Sequence, residues 1–259
     1  MRVLKIELEG TTTSFRHPHL LTGRQPSYPL PPPATLYGHI ASVLGDYPAP
    51  ESFRFAFAFT HQGSVDDYEH TWLIERDDRK AKAGQPAPNI TGTLSPTVRE
   101  VLFRPHLTLY LDTPHMDAWH AAFRAPAFPV ALGRSQDLAA YTRVEVITLE
   151  ERQAGYLDHT LLPWSWRPEV SLGQGLLMPR VIDPRDRQQV VWARYVALTH
   201  RAYLPMAGES GREAHWVRID PGSRSVWVDP HTPEYRNRQR ALVWHTLTGA
   251  DSESLDVPA

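Results

Sequence analysis

The sequence predicts an α+β fold whose first 150 residues run strand, helix, strand, strand, helix, strand. Residues 1–9 alternate, with leucine and isoleucine on one side and lysine and glutamate on the other, which is the period of a half-buried β-strand. Residues 34–44 place Leu36, Ile40 and Val43 at helical spacing. Phenylalanine then occupies every second position from Phe53 to Phe59. This alternation predicts a second strand with an aromatic core face.

The ends of the first helix are marked by residues that suit them. Three prolines, Pro31 to Pro33, lead into the helix, and proline is favoured in a first helical turn because it has no amide hydrogen to leave unpaired. Gly45 follows the last apolar residue and is a natural stop signal. We therefore expect a helix over residues 34–44.

The remaining elements of the first 150 residues follow a long polar insertion over residues 61–96, which is too long for a simple turn. The expected elements are a strand within the insertion at 68–75, strands at 98–103 and 106–112, a helix at 116–123, and strands at 128–132 and 143–149. This order is that of a ferredoxin-like βαββαβ domain, the architecture of RNA-recognition modules. We predict such an RRM-like domain over residues 1–150.

The pattern changes in the last part of the chain. Residues 190–198 indicate a strand, and residues 215–229 indicate a hairpin around a Pro-Gly-Ser turn. The sequence therefore predicts a smaller β-rich C-terminal extension over residues 151–259, which ends in a flexible acidic tail.

Composition narrows the class of protein. The chain has 259 residues, 41% of them hydrophobic and 22% charged, without cysteine. The absence of cysteine excludes disulfide and thiolate chemistry, and we therefore expect a cytoplasmic protein. No apolar run reaches about 18 residues, so we expect no membrane segment. The net charge of −2 argues against bulk polyanion binding, but residues 10–40 hold two arginines and no acid. A basic groove on a neutral body is compatible with this distribution.

Arginine supplies almost all of the positive charge, because lysine occurs only at Lys5, Lys80 and Lys82. Arginine binds phosphate in a bidentate manner and stacks on bases. A GC-rich genome would produce the same bias, so both explanations stay open.

Three segments carry a resemblance to a known family. They are TSFRHP at Thr13–Pro18, YPLPPPATLYGHIASVLG at Tyr28–Gly45, and LGRSQDL at Leu132–Leu138. Together they resemble the Cas-five family of CRISPR-associated proteins, in the RAMP superfamily. The similarity covers residues 1–150 well and the rest loosely, and it is greatest to the type I-B branch.

The resemblance implies a non-catalytic subunit of a type I CRISPR Cascade surveillance complex. Such a subunit binds and caps the 5′ handle of crRNA and contacts the neighbouring backbone and large subunits, close to target DNA, in antiviral defence. Family members carry a β-hairpin thumb between the second and third strands, where residues 61–96 lie. The basic residues expected to serve that thumb are Arg76, Arg79, Lys80 and Lys82.

Binding of a single-stranded handle needs positive charge, hydroxyl groups and stacking surfaces. We expect Arg16, Arg24 and Arg134 to contact phosphates, although a surface salt bridge is an open alternative for each. The further RNA-binding candidates are Thr12, Ser14, His17, Tyr28 and Ser135.

An alternative function is a metal-independent endoribonuclease that processes CRISPR repeat RNA, as in the type I-C branch, where a tyrosine, a lysine and a histidine are implicated. This chain has no lysine after Lys82 and no adjacent Lys-His pair, so we expect no catalytic residues. His17-Pro18-His19 has the spacing of a metal motif, but the barrel strands that would supply further ligands are missing. We expect neither a metal nor a cofactor.

Overall fold

The computed structural model describes residues 1–20, 23–76, 90–204, 217, 225–249 and 254–255, and these form a strand-rich α+β fold as expected. The two helices are α1 (Pro33–Leu44) and α2 (Met116–Arg124), with a 3₁₀ turn at Trp164–Glu169. The strands are β1 (Arg2–Gly10), β2 (Thr12–Thr13), β3 (Arg24–Gln25), β4 (Arg54–Thr60), β5 (Gly63–Arg76), β6 (Ile90–Phe103), β7 (His106–Asp112), β8 (Ala139–Thr148), β9 (Glu150–Arg152), β10 (Gly155–Pro163), β11 (Gln174–Ile182), β12 (Val190–Leu204), β13 (Val226–Asp229), β14 (Arg240–Ala241) and β15 (Ser254–Leu255).

The first sheet has the strand order β4-β7-β1-β8, and all of its neighbouring strands are antiparallel. Helix α1 begins at Pro33 and ends before Gly45, whose positive φ of 82° suits glycine. Leu36 and Ile40 of α1 and Phe123 of α2 pack with the apolar side of β1 in one buried cluster. Both helices therefore cover the same face of this sheet.

The insertion predicted over residues 61–96 is a long β-hairpin. Strands β5 and β6 pair from Gly63–Phe103 to Arg76–Ile90, so the predicted strand at 98–103 is the end of β6. The predicted bounds of 61–96 were therefore too short at the C-terminal end. Arg79, Lys80 and Lys82 lie outside the described residues, as does the side chain of Arg76.

The base of the hairpin is joined to the first loop. Thr12 of β2 pairs with Phe103, and Arg24 of β3 pairs with Val98, both on β6. The strand predicted at 128–132 is wrong: that segment is a loop with one isolated bridge, Ala131 to Leu138, and Pro129 has no amide to donate to a ladder.

The second sheet has the order β11-β12-β10-β14-β13-β9, with β15 added beside β12. It packs against the first sheet, since Leu161, Met178 and Tyr195 belong to the same buried cluster as the core of β1 and α1. The predicted hairpin at 215–229 falls largely outside the described residues, as does most of the acidic tail. Neither α-helix in the described part of the chain is long and apolar enough to span a bilayer.

Candidate nucleic-acid interface

A groove of about 720 Å³ opens where four segments meet. Its walls are residues 14–16 and 18 of the first loop, one side of α1, the loop at 131–135, and residues 179–187. The charged residues that line it are Arg16, Arg99, Arg134, Arg187 and one acid, Asp183. The groove is therefore a concave surface with an excess of guanidinium groups.

The N-terminus of α1 adds positive potential to this groove. Pro32, Ala34 and Thr35 line it, no side chain caps the helix, and the first turn contains no acid. The carbonyl of Pro32 accepts hydrogen bonds from the amides of Thr35 and Leu36. The helix dipole and the amide of the first turn therefore face the groove without a built-in negative partner.

The Leu-Gly-Arg-Ser element lies directly against the first loop. Thr13 Oγ1 donates to the carbonyl of Leu132 at 2.5 Å. Gly133 has a φ of +95°, and a Cβ at this position would come within 2.5 Å of Thr13 Oγ1 and 2.8 Å of the Ser14 carbonyl oxygen. Only glycine allows this approach, which brings Ser14 and Arg134 to one groove.

Asp137 holds the conformation of the loop that carries Arg134. Its buried carboxylate accepts hydrogen bonds from the Thr12 hydroxyl at 3.0 Å and from the backbone amide of Arg134 at 3.0 Å. It also accepts two hydrogen bonds from the Arg134 guanidinium, both at 2.8 Å. Thr12, a predicted RNA contact, therefore lies beneath the loop, where it orients Asp137.

Glu69 of β5 joins two groove arginines. Its carboxylate accepts a hydrogen bond from Arg99 Nε at 2.5 Å and another from Arg134 Nη1. Burial raises the pKa of Glu69, but the two guanidinium groups outweigh this effect and hold that pKa below its usual value. The same contacts, with those of Asp137, raise the pKa of Arg134.

The predicted phosphate contacts have different environments. Arg16 is exposed in the groove, and within the described part of the chain no carboxylate pairs with it. Arg24 lies outside the groove lining and pairs with Asp66 on the hairpin, its Nε 3.0 Å from the carboxylate. Arg134 and Ser135 line the groove, as does Ser14, whose hydroxyl donates to the carbonyl of Glu100 at 2.8 Å.

Tyr28 and His17 stack on each other. Their ring centroids are 3.6 Å apart, Tyr28 is 1% exposed, and its hydroxyl donates to the carbonyl of Leu177 at 2.7 Å. Burial raises the pKa of Tyr28 to about 12 and lowers the pKa of His17. His19 stacks on Trp192 with centroids 4.7 Å apart. Within the described residues, no cluster of three or more histidine or acidic side chains could hold a metal ion.

His39 ties α1 to the opposite wall of the groove. Its Nδ1–H donates to the carbonyl of Ala131 at 2.9 Å, which leaves Nε2 to accept from the Tyr141 hydroxyl at 2.8 Å. Burial lowers the pKa of His39, so the ring is neutral and both nitrogens are engaged. This contact joins α1 to the loop at 131–135, and both of them line the groove.

The solved structures that match this chain are described as CRISPR or Cas proteins, and the first of them shares its fold. A structure described as a CRISPR RNA-guided surveillance complex matches with a TM-score of 0.52 and 14% identity, over 82% of this chain and 95% of that one. A Cas protein crystal structure matches with a TM-score of 0.41 and 15% identity, over 78% and 94% of the two chains. A CRISPR protein from Archaeoglobus fulgidus gives 0.40 and 13%, over 81% and 97%.

Residues 3–201 match the family described as CRISPR-associated protein (Cas_Cas5). The chain belongs to this family, as its three sequence segments predicted. No curated protein matches it.

Proposed function

We propose that this chain binds the 5′ handle of crRNA as a non-catalytic subunit of a type I Cascade complex. In this proposal the β4-β7-β1-β8 sheet is a ferredoxin-like RNA-binding domain, and the β5–β6 hairpin is its thumb. Membership of the CRISPR-associated family supports the complex, where the partners are the backbone and large subunits. The groove of four arginines beside an uncapped helix N-terminus is the observation that carries the proposal.

The groove suits a single-stranded RNA backbone. Arg16 and Arg187 are exposed and can follow phosphates, while the helix dipole and the amide of Ala34 at the N-terminus of α1 can hold one phosphate. Tyr37 and Tyr47 also line the groove, their ring centroids 5.3 Å apart, and the exposed Tyr47 offers a face to an unstacked base. Phosphate contacts and one stacking surface are sufficient to hold a short RNA end.

The position of His39 favours the non-catalytic proposal over the endoribonuclease. RNA self-cleavage needs a base for the 2′-hydroxyl, and His39 is the histidine among the described groove residues. Because both of its ring nitrogens are hydrogen-bonded, it has no free lone pair with which to accept the proton of a 2′-hydroxyl.

The test of the non-catalytic proposal is incubation of the purified chain with repeat RNA and without metal, in which we expect intact RNA. Cleavage at a specific site would establish the endoribonuclease instead.

Handle binding is tested by Arg16→Ala, compared with Arg152→Ala as a matched control. Arg152 is exposed on β9 and pairs with Glu150, outside the groove lining. We expect Arg16→Ala to weaken binding of handle RNA and to reduce the slope of log affinity against log salt by about 0.7, the value for one phosphate of a single strand. Arg152→Ala should leave both unchanged. Unaltered binding in Arg16→Ala and in a second variant, Arg187→Ala, would contradict the proposal.

A further inference from the structure

Two of the four groove arginines share one carboxylate, that of Glu69 on strand β5 of the hairpin. Glu69 lies behind the groove lining and contacts both Arg99 and Arg134. The side chains of Arg99, Arg134 and Glu69 are 10%, 16% and 19% exposed, so solvent screens these ion pairs less than pairs on the open surface. The groove therefore has less net positive charge than its four arginines indicate.

The two arginines retain donors for a second anion. A guanidinium carries five N–H groups. Among the described residues, carboxylates occupy one donor of Arg99, its Nε–H, and three donors of Arg134. The remaining N–H groups belong to residues that line the groove, where a phosphate can approach them.

Glu69 and Asp137 differ in how firmly they are held. Asp137 is fully buried and accepts hydrogen bonds from a backbone amide and a threonine hydroxyl as well as from Arg134. The Glu69 carboxylate is held by the two arginines and by a long contact of 3.3 Å from Gln136. It is partly exposed, so it can move into water when another anion takes its partners.

We propose that Glu69 is an internal counter-ion, which an RNA phosphate displaces from Arg99 and Arg134 when the groove is occupied. The inference rests on the proposed RNA-binding function and adds to it a residue that sets the affinity and the salt dependence of binding. Without RNA, Glu69 compensates two guanidinium groups whose burial would otherwise be costly. With RNA, a phosphate takes over this role at both arginines, while the backbone pairing of β6 with β2 and β3 keeps the hairpin in place.

The exchange makes a prediction for the salt dependence of binding. A phosphate that displaces Glu69 releases its condensed cation, but the freed carboxylate attracts cations in turn, so net ion release is small. Glu69→Gln removes this compensation. We expect it to bind RNA several-fold more tightly than the wild type and to steepen the salt slope by up to about 0.7.

The probe is a labelled single-stranded oligouridylate of about ten nucleotides, within the site size of single-strand-binding folds. Glu75→Gln is the matched control, since it removes an exposed glutamate from the same strand, about 20 Å further along at about 3.3 Å per residue. Thermal unfolding checks that both variants are folded. Binding by Glu75→Gln should equal that of the wild type.

A second measurement follows Glu69 in the unaltered protein. With ¹³C-labelled glutamate, and with the Glu69 signal assigned from Glu69→Gln, the carboxyl is titrated with and without RNA. We expect its pKa to rise toward the ordinary value when RNA binds, because the carboxylate loses both arginines. A purely structural ion pair would titrate identically in both samples.

The outcomes separate the two proposals. Equal or weaker RNA binding by Glu69→Gln, with normal binding by the wild type and an unchanged Glu69 titration, overturns the counter-ion role and leaves RNA binding intact. Failure of both proteins to bind the oligouridylate and repeat RNA at low salt overturns both proposals. Tighter binding by Glu69→Gln together with a raised pKa establishes the exchange.

Discussion

Gly133 is the residue that allows the two loops that line the groove, at 14–18 and 131–135, to meet. We expect Gly133→Ala to lower the free energy of unfolding by about 2 kcal/mol or more, because its positive φ strains any L-residue and its Cβ would collide with Thr13 and Ser14. Urea denaturation measures the loss. RNA affinity should fall in the same variant, since the loop that carries Arg134 is pushed away from the groove.

Gly63→Ala is the control for this substitution. Gly63 has an ordinary φ, and no atom of the described residues lies within 4 Å of the Cβ that alanine would add. Its stability should stay within about 0.5 kcal/mol of the wild type. If the two alanine variants were equally stable, the close approach at Gly133 would have no structural importance.

The residues of the site were only partly predictable from the sequence. The segments around Arg16 and Arg134 were identified from their motifs, and the structure brings both arginines to one groove. Glu69, Arg99 and Asp137 were missed. Glu69 and Arg134 are 65 positions apart, and local patterns carry no information about such a contact. An aspartate three residues after Arg134 was the one available signal, since this spacing allows a turn closed by side-chain hydrogen bonds.

The elements were predicted best where their period was strong and their ends were marked. Helix α1 begins one residue earlier than predicted and ends where expected, because Pro33 and Gly45 define its ends. Strand β1 was expected to expose its lysine side, yet Lys5 is 3% exposed. The reason is that the second sheet, more than 140 residues later in the chain, covers the other face of the first sheet. Alternation indicates two faces of a strand, but it does not indicate what covers each.

The ion pair between β1 and β13 is a testable contact between these elements. Lys5 Nζ lies 2.7 Å from the Asp229 carboxylate, which also accepts from the Tyr110 hydroxyl at 2.8 Å. We expect Asp229→Asn to lower the free energy of unfolding by about 3 kcal/mol, because Lys5 keeps a buried charge with one remaining partner, Glu7, at 3.5 Å. Urea denaturation measures this loss.

A double substitution separates the charge from the packing at this contact. Lys5→Met combined with Asp229→Asn should recover much of the lost stability, because the buried charge is gone and the asparagine oxygen can still accept from the Tyr110 hydroxyl. Glu234→Gln, at an exposed position in the segment after β13, is the control and should be near neutral. If Glu234→Gln lost as much free energy of unfolding as Asp229→Asn, the buried ion pair would contribute no more to stability than an exposed carboxylate.

At the scale of the whole molecule, the two sheets are joined through His245. Its backbone amide donates to the Phe55 carbonyl on β4 at 2.7 Å, and the Phe55 amide donates back at 3.0 Å. Its ring contacts Phe55, Phe57 and Tyr195, and its Nε2–H donates to the carbonyl of Leu161 on β10 at 3.1 Å. A polar ring thus lies between aromatic side chains of both sheets, with a single hydrogen bond.

This position makes the joint between the sheets sensitive to acid. Burial lowers the pKa of His245 to about 4 in the folded chain, whereas an unfolded histidine titrates near 6.5. Between these values the unfolded state binds a proton that the folded state does not, so stability is complete above about pH 6.5 and decreases as the pH falls toward 4. The loss due to this residue should be about 2 kcal/mol between pH 7 and pH 5.

Urea denaturation of the wild type and of His245→Gln at both pH values tests this, since glutamine does not titrate. The variant should lose about 2 kcal/mol less than the wild type over the same interval, and an equal loss in both proteins would exclude His245 as the acid-sensitive group.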